Sequence, residues 1–182
     1  MTFKLTPEPQ TPADTGAIHH LLDLSFGLGR LAKTSYRLRE GNAPVDGLSL
    51  VIRDVEVGLA GIISYWPIVV GTAFTPALLL GPLAVHPQRQ NLGVGKTLMV
   101  VTLAKAKAQG HRLVILVGDA PYYARVGFQV LPTNRFQLPG PFDAARFLYL
   151  ELEAGALAHY SGLVLPPHRQ AELSAALAKP HR

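Results

Sequence analysis

The sequence predicts a single α/β domain, and three features carry this prediction. Two β-rich runs, 48–53 and 57–66, are separated by a short charged turn and form an antiparallel hairpin. The next run, 77–85, is apolar without alternation, as expected of a central strand covered on both faces. A long helix over 93–109 then leads into a buried strand over 112–117.

Shorter elements precede the hairpin. A strand is expected near 3–5, followed by a helix that starts at Thr11 as N-cap with Pro12 in the first helical position and runs up to Gly27. A second helix should cover 31–39, because Gly and Asn at 41–42 tolerate the left-handed conformation that ends a helix.

The second half of the chain continues the pattern. Pro82 forfeits one ladder hydrogen bond, so the strand 77–85 should be irregular there. In the long helix, the predicted buried stripe contains Leu98, Val101, Ala104 and Ala108. A short helix over 121–125, strands over 127–131 and 146–152, and a final helix over 170–178 complete the prediction.

Composition narrows the function. The chain has 182 residues, no cysteine and a formal net charge of +5. The missing cysteines exclude disulfides, thiolate ligands and a cysteine nucleophile, and the histidines lack the spacing of metal ligands. Because the cationic residues are scattered and no signal peptide or long apolar run occurs, we expect a cytoplasmic protein with no nucleic-acid partner, no membrane association and no metal.

The segment between the central strand and the long helix has the features of a phosphate-binding loop. It runs from Val85 through Gly93 and Gly95, with both glycines where the helix opens. A helix N-terminus offers unpaired N–H groups and partial positive charge, and glycine lets a phosphate approach closely. The ending Gly95-Lys96-Thr97 is similar to a P-loop, but Gln90 occupies the place of its first glycine. A dinucleotide-binding fingerprint fails because Leu98 stands where its third glycine is needed.

The pattern that fits is Gln-x-x-Gly-x-Gly over 90–95, preceded by Val-x-Pro over 85–87. It resembles the acetyl-CoA loop of the GCN5-related N-acetyltransferases (GNAT). A second motif of that family, an aromatic pair leading to Gly-Phe, stands at 122–128. The stretches 80–85, 117–119 and 150–167 are similar to the YhbS-like subgroup of predicted bacterial acetyltransferases.

The resemblance implies a GNAT fold of the α/β (α+β) class. We expect a mixed, mostly antiparallel sheet of six to seven strands, with splayed central strands and about four flanking helices. An N-acetyltransferase domain should cover 1–153, and a C-terminal extension, 154–182, should pack on it or trail from it. Edge strands of such sheets often pair between copies, which makes a homodimer a candidate assembly.

The resemblance also assigns the site. Acetyl-CoA is the implied cosubstrate and an unidentified primary amine the acceptor. Main-chain groups of Leu83, Ala84 and Val85 should pair with the pantetheine arm. The pyrophosphate should be held by main-chain amides of the loop, namely those of Gln90, Asn91, Leu92, Gly93, Val94, Gly95 and Lys96. The family often has Gly and Arg where this chain has Asn91 and Leu92, so side chains should contribute less here.

Tyr123, four residues before Gly127, is the residue that the resemblance assigns as the acid that protonates the departing thiolate. The general base stays open, because the strand 78–85 contains no carboxylate. Asp119 and His86 are the nearest titratable groups, although Asp119 is better explained as a helix cap and His86 as a turn residue. A binding or sensing module with weak catalysis is therefore the alternative to an efficient enzyme.

Overall fold

The computed structural model describes residues 4–32, 34–170 and 174. Its strands are β1 (Pro7–Pro9), β2 (Leu50–Asp54), β3 (Gly58–Val70), β4 (Thr75–Val85), β5 (Leu113–Val117), β6 (Gln129–Val130), β7 (Phe136–Gln137), β8 (Phe147–Glu151) and β9 (Gly162–Leu165). Its α-helices are α1 (Thr15–Phe26), α2 (Thr34–Arg37), α3 (Val94–Ala108) and α4 (Ala120–Ala124).

Seven of the strands follow one another in the order β1-β2-β3-β4-β5-β8-β6, and along this order only β4 and β5 run parallel. This confirms the predicted mixed, mostly antiparallel sheet, but β7 and β9 bring it to nine strands instead of six to seven. The long strand β3 has room for a further neighbour, because β2 pairs with its first half and β9 pairs with Val69 and Val70 near its end. Strand β7 pairs with β9 in turn, and neither of these two strands is expected from the sequence.

The central strands β4 and β5 diverge after a short stretch of pairing. Strand β4 pairs with β5 only at Leu78 and Leu79, and then continues to Val85 while β5 follows β8 instead. An irregularity near Gly81 and Pro82 is confirmed, since the peptide bond between them is cis and the β3–β4 register shifts opposite them. The parting leaves one edge of β4 without a strand partner beyond Leu79, as the resemblance implies.

Helix α3 covers one face of the sheet, and its predicted buried stripe is confirmed at Leu98 but wrong for Ala104 and Ala108. Its buried residues are Val94, Gly95, Leu98, Met99, Thr102, Leu103 and Ala106. Val101 is only half-buried, and Ala104 and Ala108 are exposed. The sequence pattern misleads because Thr102 is a core residue: its hydroxyl donates to the Leu98 carbonyl and is hydrogen-bonded to the buried Tyr65 hydroxyl at 2.9 Å.

The early elements differ in length from the prediction. The first strand lies at Pro7–Pro9 and forms the sheet edge, where proline is tolerated. Of the span predicted as a strand, 3–5, residues 4 and 5 are not in a strand and residue 3 lies outside the described residues. Only α2 and a preceding 3₁₀ turn (Leu28–Ala32) occupy the region predicted as the second helix. Thr11 precedes a 3₁₀ turn (Pro12–Asp14) and not α1 itself, whose N-cap is Asp14, and the Asp14 carboxylate accepts from both the amide and the hydroxyl of Thr11.

The C-terminal region joins the sheet as far as the structure describes it. Strand β9 pairs with β3, and the buried Tyr160 donates its hydroxyl to the Pro76 carbonyl at 2.7 Å. The division of the chain at residue 153 stays a prediction. The helix predicted over 170–178 falls almost entirely outside the described residues.

Candidate active site

A cleft of about 730 Å³ opens where β4 and β5 part. One side is formed by the free edge of β4, the loop after it and the first turn of α3. The other side is formed by the end of β5 with α4, and by residues from α1 to α2. Of the predicted loop residues, Leu92 alone does not line the cleft, and its side chain is 50% exposed.

The backbone of the loop turns back on itself to start α3. A 3₁₀ turn (Pro87–Arg89) is followed by extended Gln90, and then Asn91 and Gly93 adopt left-handed conformations with φ of 62° and 82°. Asparagine tolerates this region better than other side chains, which explains how it stands where the family often has Gly. The departure at Asn91 therefore preserves the shape of the loop.

The first turn of α3 presents main-chain donors to the cleft. Its first intrahelical bond runs from the Thr97 amide to the Gly93 carbonyl, and no side chain caps the helix. The amides of Val94, Gly95 and Lys96 therefore have no intrahelical partner. No acidic residue lies in this turn, so the helix dipole leaves the site positive. An anion such as a pyrophosphate would gain hydrogen bonds and dipole attraction together.

Arg89 fastens the loop to the β2–β3 turn. Its guanidinium donates to both carboxylate oxygens of Asp54, at 2.8 and 3.1 Å, and also pairs with Glu56. The Arg89 guanidinium lowers the pKa of Asp54 to about 2, and the amides of Glu56 and Val57 add to this shift. The bidentate geometry fixes the position of the loop as well as its charge.

The free edge of β4 is formed by alternate residues. The His86 amide donates to the Ala60 carbonyl on β3, and main-chain groups along a strand alternate between its two edges. Ala84, two residues earlier and opposite Ile62, therefore directs its main-chain groups towards β3. Leu83 and Val85 direct theirs into the cleft. The geometry thus favours the predicted pantetheine contacts for Leu83 and Val85 more than for Ala84.

Tyr123 lies on the opposite wall. Its ring packs edge-on against Tyr122 and Phe128, at centroid distances of 5.2 and 5.8 Å. A Cβ added at Gly118, at the end of β5, would overlap the Tyr123 ring, so the missing side chain makes room for it. Burial raises the pKa of the Tyr123 phenol above its ordinary value, so the hydroxyl keeps its proton at neutral and moderately alkaline pH.

The Tyr122 hydroxyl reaches across to the loop. A Cβ added at Gly95 would overlap this hydroxyl, and Val85 lies next to the same position, with its Cγ2 at 3.3 Å from such a Cβ. The second glycine of the motif is therefore needed for close packing between α3 and α4. Burial also raises the pKa of Tyr122.

Neither candidate base is placed as an obvious proton acceptor. Asp119 caps α4 as predicted, with a carboxylate oxygen 3.2 Å from the Tyr122 amide that donates to it. It is the one carboxylate among the described residues that line the cleft. His86 is not among the lining residues, and its Nδ1 accepts from the Gln88 amide. Trp66 donates to the Gly81 carbonyl at 2.7 Å and packs against the core.

The wall formed by the early helices was missed by sequence reasoning. We call it the arginine wall, and it comprises Ser25, Arg30, Tyr36 and Arg39. The guanidinium carbons of Arg30 and Arg39 lie 5.7 and 4.8 Å from the centre of the Tyr36 ring. No local motif marks these residues, because they meet only when α1, α2 and β4 come together.

Two negative findings concern the described residues only. Within 4–32, 34–170 and 174, no three His, Asp or Glu side chains are grouped so as to hold a metal ion. None of the helices in that part of the chain is both long and apolar enough to cross a membrane.

Comparison with known proteins agrees with this geometry. The model of the acetyltransferase (GNAT) domain family matches residues 46–130, which include the hairpin, β4, the loop, α3 and Tyr123. The uncharacterized N-acetyltransferase YhbS of Escherichia coli is 28% identical over 158 residues, covering 85% of this chain and 92% of its own length. A crystal structure of YhbS in complex with CoA matches with a TM-score of 0.76 at 26% identity, covering 94% of each chain.

The chain belongs to the GNAT superfamily, within its YhbS-like subgroup. It is an enzyme of the N-acetyltransferase type. A GNAT acetyltransferase from Brucella melitensis, solved with acetyl-CoA, has a TM-score of 0.60 at 25% identity, over 81% of this chain and 88% of its own. The YhbS complex contains CoA, and the Brucella melitensis complex contains acetyl-CoA.

Proposed function

We propose that this GNAT enzyme transfers the acetyl group of acetyl-CoA directly to a primary amine. The observation that carries the proposal is the gap between β4 and β5, which ends at the unpartnered amides of the α3 N-terminus. Amides of Val94, Gly95 and Lys96 would hold the pyrophosphate, together with the loop from Gln90. Leu83 and Val85 would pair with the pantetheine arm as a strand does.

The chemical step needs no covalent enzyme intermediate. The amine nitrogen forms a bond to the thioester carbonyl carbon, the carbon–sulfur bond breaks, and its electron pair leaves with sulfur. Tyr123 gives its hydroxyl proton to that sulfur, and the proton released by the amine restores the phenol through solvent. Burial keeps the phenol protonated and so available as a donor, and burial also makes a thiolate more basic, which favours protonation of the sulfur in the cleft.

Deprotonation of the amine needs no carboxylate on β4. Cationic side chains line the cleft from both ends, with Asp119 as the one carboxylate among its described lining residues. Positive surroundings lower the pKa of a bound amine and favour its neutral, nucleophilic form. A catalytically weak acyl-CoA-binding module is the competing function, since it needs the same coenzyme site and no proton acceptor.

Two measurements separate these functions. Calorimetric titration with CoA should show saturable binding, and continuous thiol detection should show steady CoA release from acetyl-CoA with members of a panel of primary amines. CoA release that stays at the rate of the amine-free control, despite tight CoA binding, would support the binding module instead. Absence of CoA binding would contradict both.

A further inference from the structure

The arginine wall contains two guanidinium groups in unlike situations. Arg30 is paired with Asp23, whose carboxylate accepts from its Nε at 2.8 Å, and it also donates to the Tyr36 hydroxyl. Arg39 stacks on the same Tyr36 ring but has no ion pair among the described residues, and its buried Nε has no hydrogen-bond partner. The charge of Arg30 is compensated within the protein, whereas that of Arg39 is not.

An uncompensated guanidinium inside a cleft is unfavourable unless a ligand supplies the counter-charge. Burial lowers the pKa of Arg39 to about 10, which still leaves it cationic at neutral pH. The groups that act on it are the phenols of Tyr36 and Tyr123 and the cation of Arg30, and no carboxylate is among them. Leaving a buried charge without a partner is costly, so an anion that pairs with Arg39 gains a correspondingly favourable interaction.

Arg39 lies near the residues proposed to take part in the reaction. Its Nη2 lies 2.9 Å from where a Cβ would stand on Gly81, which itself lines the cleft on the free edge of β4. Tyr123 lines the same cleft, and the Arg39 charge is close enough to interact electrostatically with its phenol. The α3 amides that suit a pyrophosphate belong to a different element, so Arg39 faces the space left for the acceptor.

We propose that the acceptor is a small amine that also carries a carboxylate, and that Arg39 binds this carboxylate. The inference rests on the proposed acetyl transfer and names its substrate class. A single free guanidinium fork matches the two oxygens of one carboxylate. Ser25, on the same wall, has a buried hydroxyl with no hydrogen-bond partner, and this hydroxyl can donate to such a ligand. Because Arg39 is mostly covered by Tyr36 and β4, the anion must sit on a short arm.

The same arrangement relates to the missing base. A substrate with an ammonium group and no carboxylate would enter a cleft in which the charged residues of the described lining are all cationic except Asp119. An amine carboxylate brings its own counter-charge to Arg39, while the amine itself remains among cations and loses its proton more readily. Arg39 is thus a specificity-determining residue, and Tyr123 retains the chemical role.

The test compares matched pairs of acceptors. Acetyl-CoA turnover is measured with the common amino acids and with the carboxamide of each, which removes the charge and keeps the shape. We expect at least one amino acid to turn over, with kcat/KM on the order of 10- to 100-fold above its carboxamide, as for loss of a hydrogen bond to a charged group. Arg39→Gln should remove this preference, and Arg39→Lys should restore part of it.

Controls separate this inference from the proposed function. Arg112→Gln, which breaks an exposed pair with Glu153 far from the cleft, should leave both the preference and the turnover unchanged. CoA affinity should be the same in all three variants, and melting temperatures check that each is folded. Where turnover is slow, binding of N-acetyl amino acids and of their amides to the CoA complex gives the same comparison by calorimetry.

Several outcomes would overturn the inference while leaving acetyl transfer intact. These are equal use of amino acids and carboxamides, preference for amines without an anion, turnover of aminoalkyl phosphates or acidic peptides alone, and a carboxylate preference that survives Arg39→Gln. The inference is also contradicted if none of the amino acids binds or reacts. Loss of CoA binding by the unaltered protein would instead refute the proposed function.

Discussion

The two halves of the cleft are built in different ways. We call them the coenzyme half and the acceptor half after the partners proposed for them. The coenzyme half offers main-chain groups: the free edge of β4, the left-handed loop and the opening turn of α3. The acceptor half offers side chains, and its arginine wall depends on residues from α1 to α2 that meet β4 only in the folded chain. Main-chain recognition tolerates side-chain changes, whereas side-chain recognition can be retuned by one substitution. The coenzyme should therefore be the fixed partner and the acceptor the variable one.

The strongest way to break the coenzyme half is to fill the space at Gly95. Gly95→Val should collide with the Tyr122 hydroxyl and with Val85, and displace the amides that await a pyrophosphate. We expect CoA affinity to fall by about 10²-fold, the equivalent of one or two hydrogen bonds to a charged group. Calorimetric titration with CoA measures it. Gly16→Val is the matched control, since a Cβ there meets nothing within 4 Å; equal affinity in both variants would contradict the site.

Tyr123 stands between the halves, and its removal should affect chemistry alone. Tyr123→Phe keeps the ring packing against Tyr122 and Phe128 but removes the proton donor. Turnover should fall by about 10²-fold with CoA affinity almost unchanged. Steady-state kinetics and CoA titration give the two values. Tyr149→Phe, which loses only a bond to Gln129, is the control; unchanged turnover in Tyr123→Phe would remove the assignment.

A smaller effect is expected from a substitution at Gly118, which lies behind the Tyr123 ring. Gly118→Ala should push the Tyr123 ring aside, because the added Cβ overlaps it. Misplacement of a catalytic group costs rate more than binding, so we expect a fall in kcat of roughly 10-fold with CoA affinity retained. Gly16→Ala serves as the comparison. A Gly118→Ala enzyme with full kcat would show that the Tyr123 position is not critical.

The smallest expected effect concerns the fastening of the loop. Arg89→Gln should weaken CoA binding by a few-fold, since it frees the loop from Asp54 without touching the α3 amides. It should also lower the melting temperature near pH 5.

The pH dependence of this difference follows from the pKa of Asp54, which the pair lowers from 3.8 to about 2. A depressed carboxyl pKa stabilises the fold above the ordinary value, and this contribution is lost as pH falls towards 2. The gap in melting temperature between the two proteins should therefore narrow from pH 5 to pH 3. A gap that stays constant would mean that Asp54 does not hold Arg89.

The sequence predicted the structural elements of the proposed coenzyme half well because their signals are local. Glycines at a strand-to-helix junction and apolar runs without alternation have the same meaning in most folds, so β4, α3 and the loop were found within a few residues. The prediction of the buried face of α3 was largely wrong because Thr102 is a polar residue in the sequence, and its hydroxyl finds the Tyr65 hydroxyl as a hydrogen-bond partner only in the folded core. Alternation along β4, which separates Ala84 from Leu83 and Val85, needed the register with β3.

The acceptor half could not be predicted for a different reason. Arg30 and Arg39 are nine positions apart across two short helical turns, with no periodicity that marks a shared face. Their meeting at Tyr36 depends on how those turns lie against Gly81 of β4. Only the packed structure shows that one guanidinium is paired and the other is not.

The most direct test of the account follows main-chain amides during coenzyme binding. In a titration of ¹⁵N-labelled protein with CoA, the amide signals of Val94, Gly95, Lys96, Leu83 and Val85 should shift most and saturate together, with Ala84 moving less. Saturable shifts confined to another part of the molecule, or no saturable shifts at all, would contradict the claim that the α3 N-terminus and the parted strands bind the coenzyme.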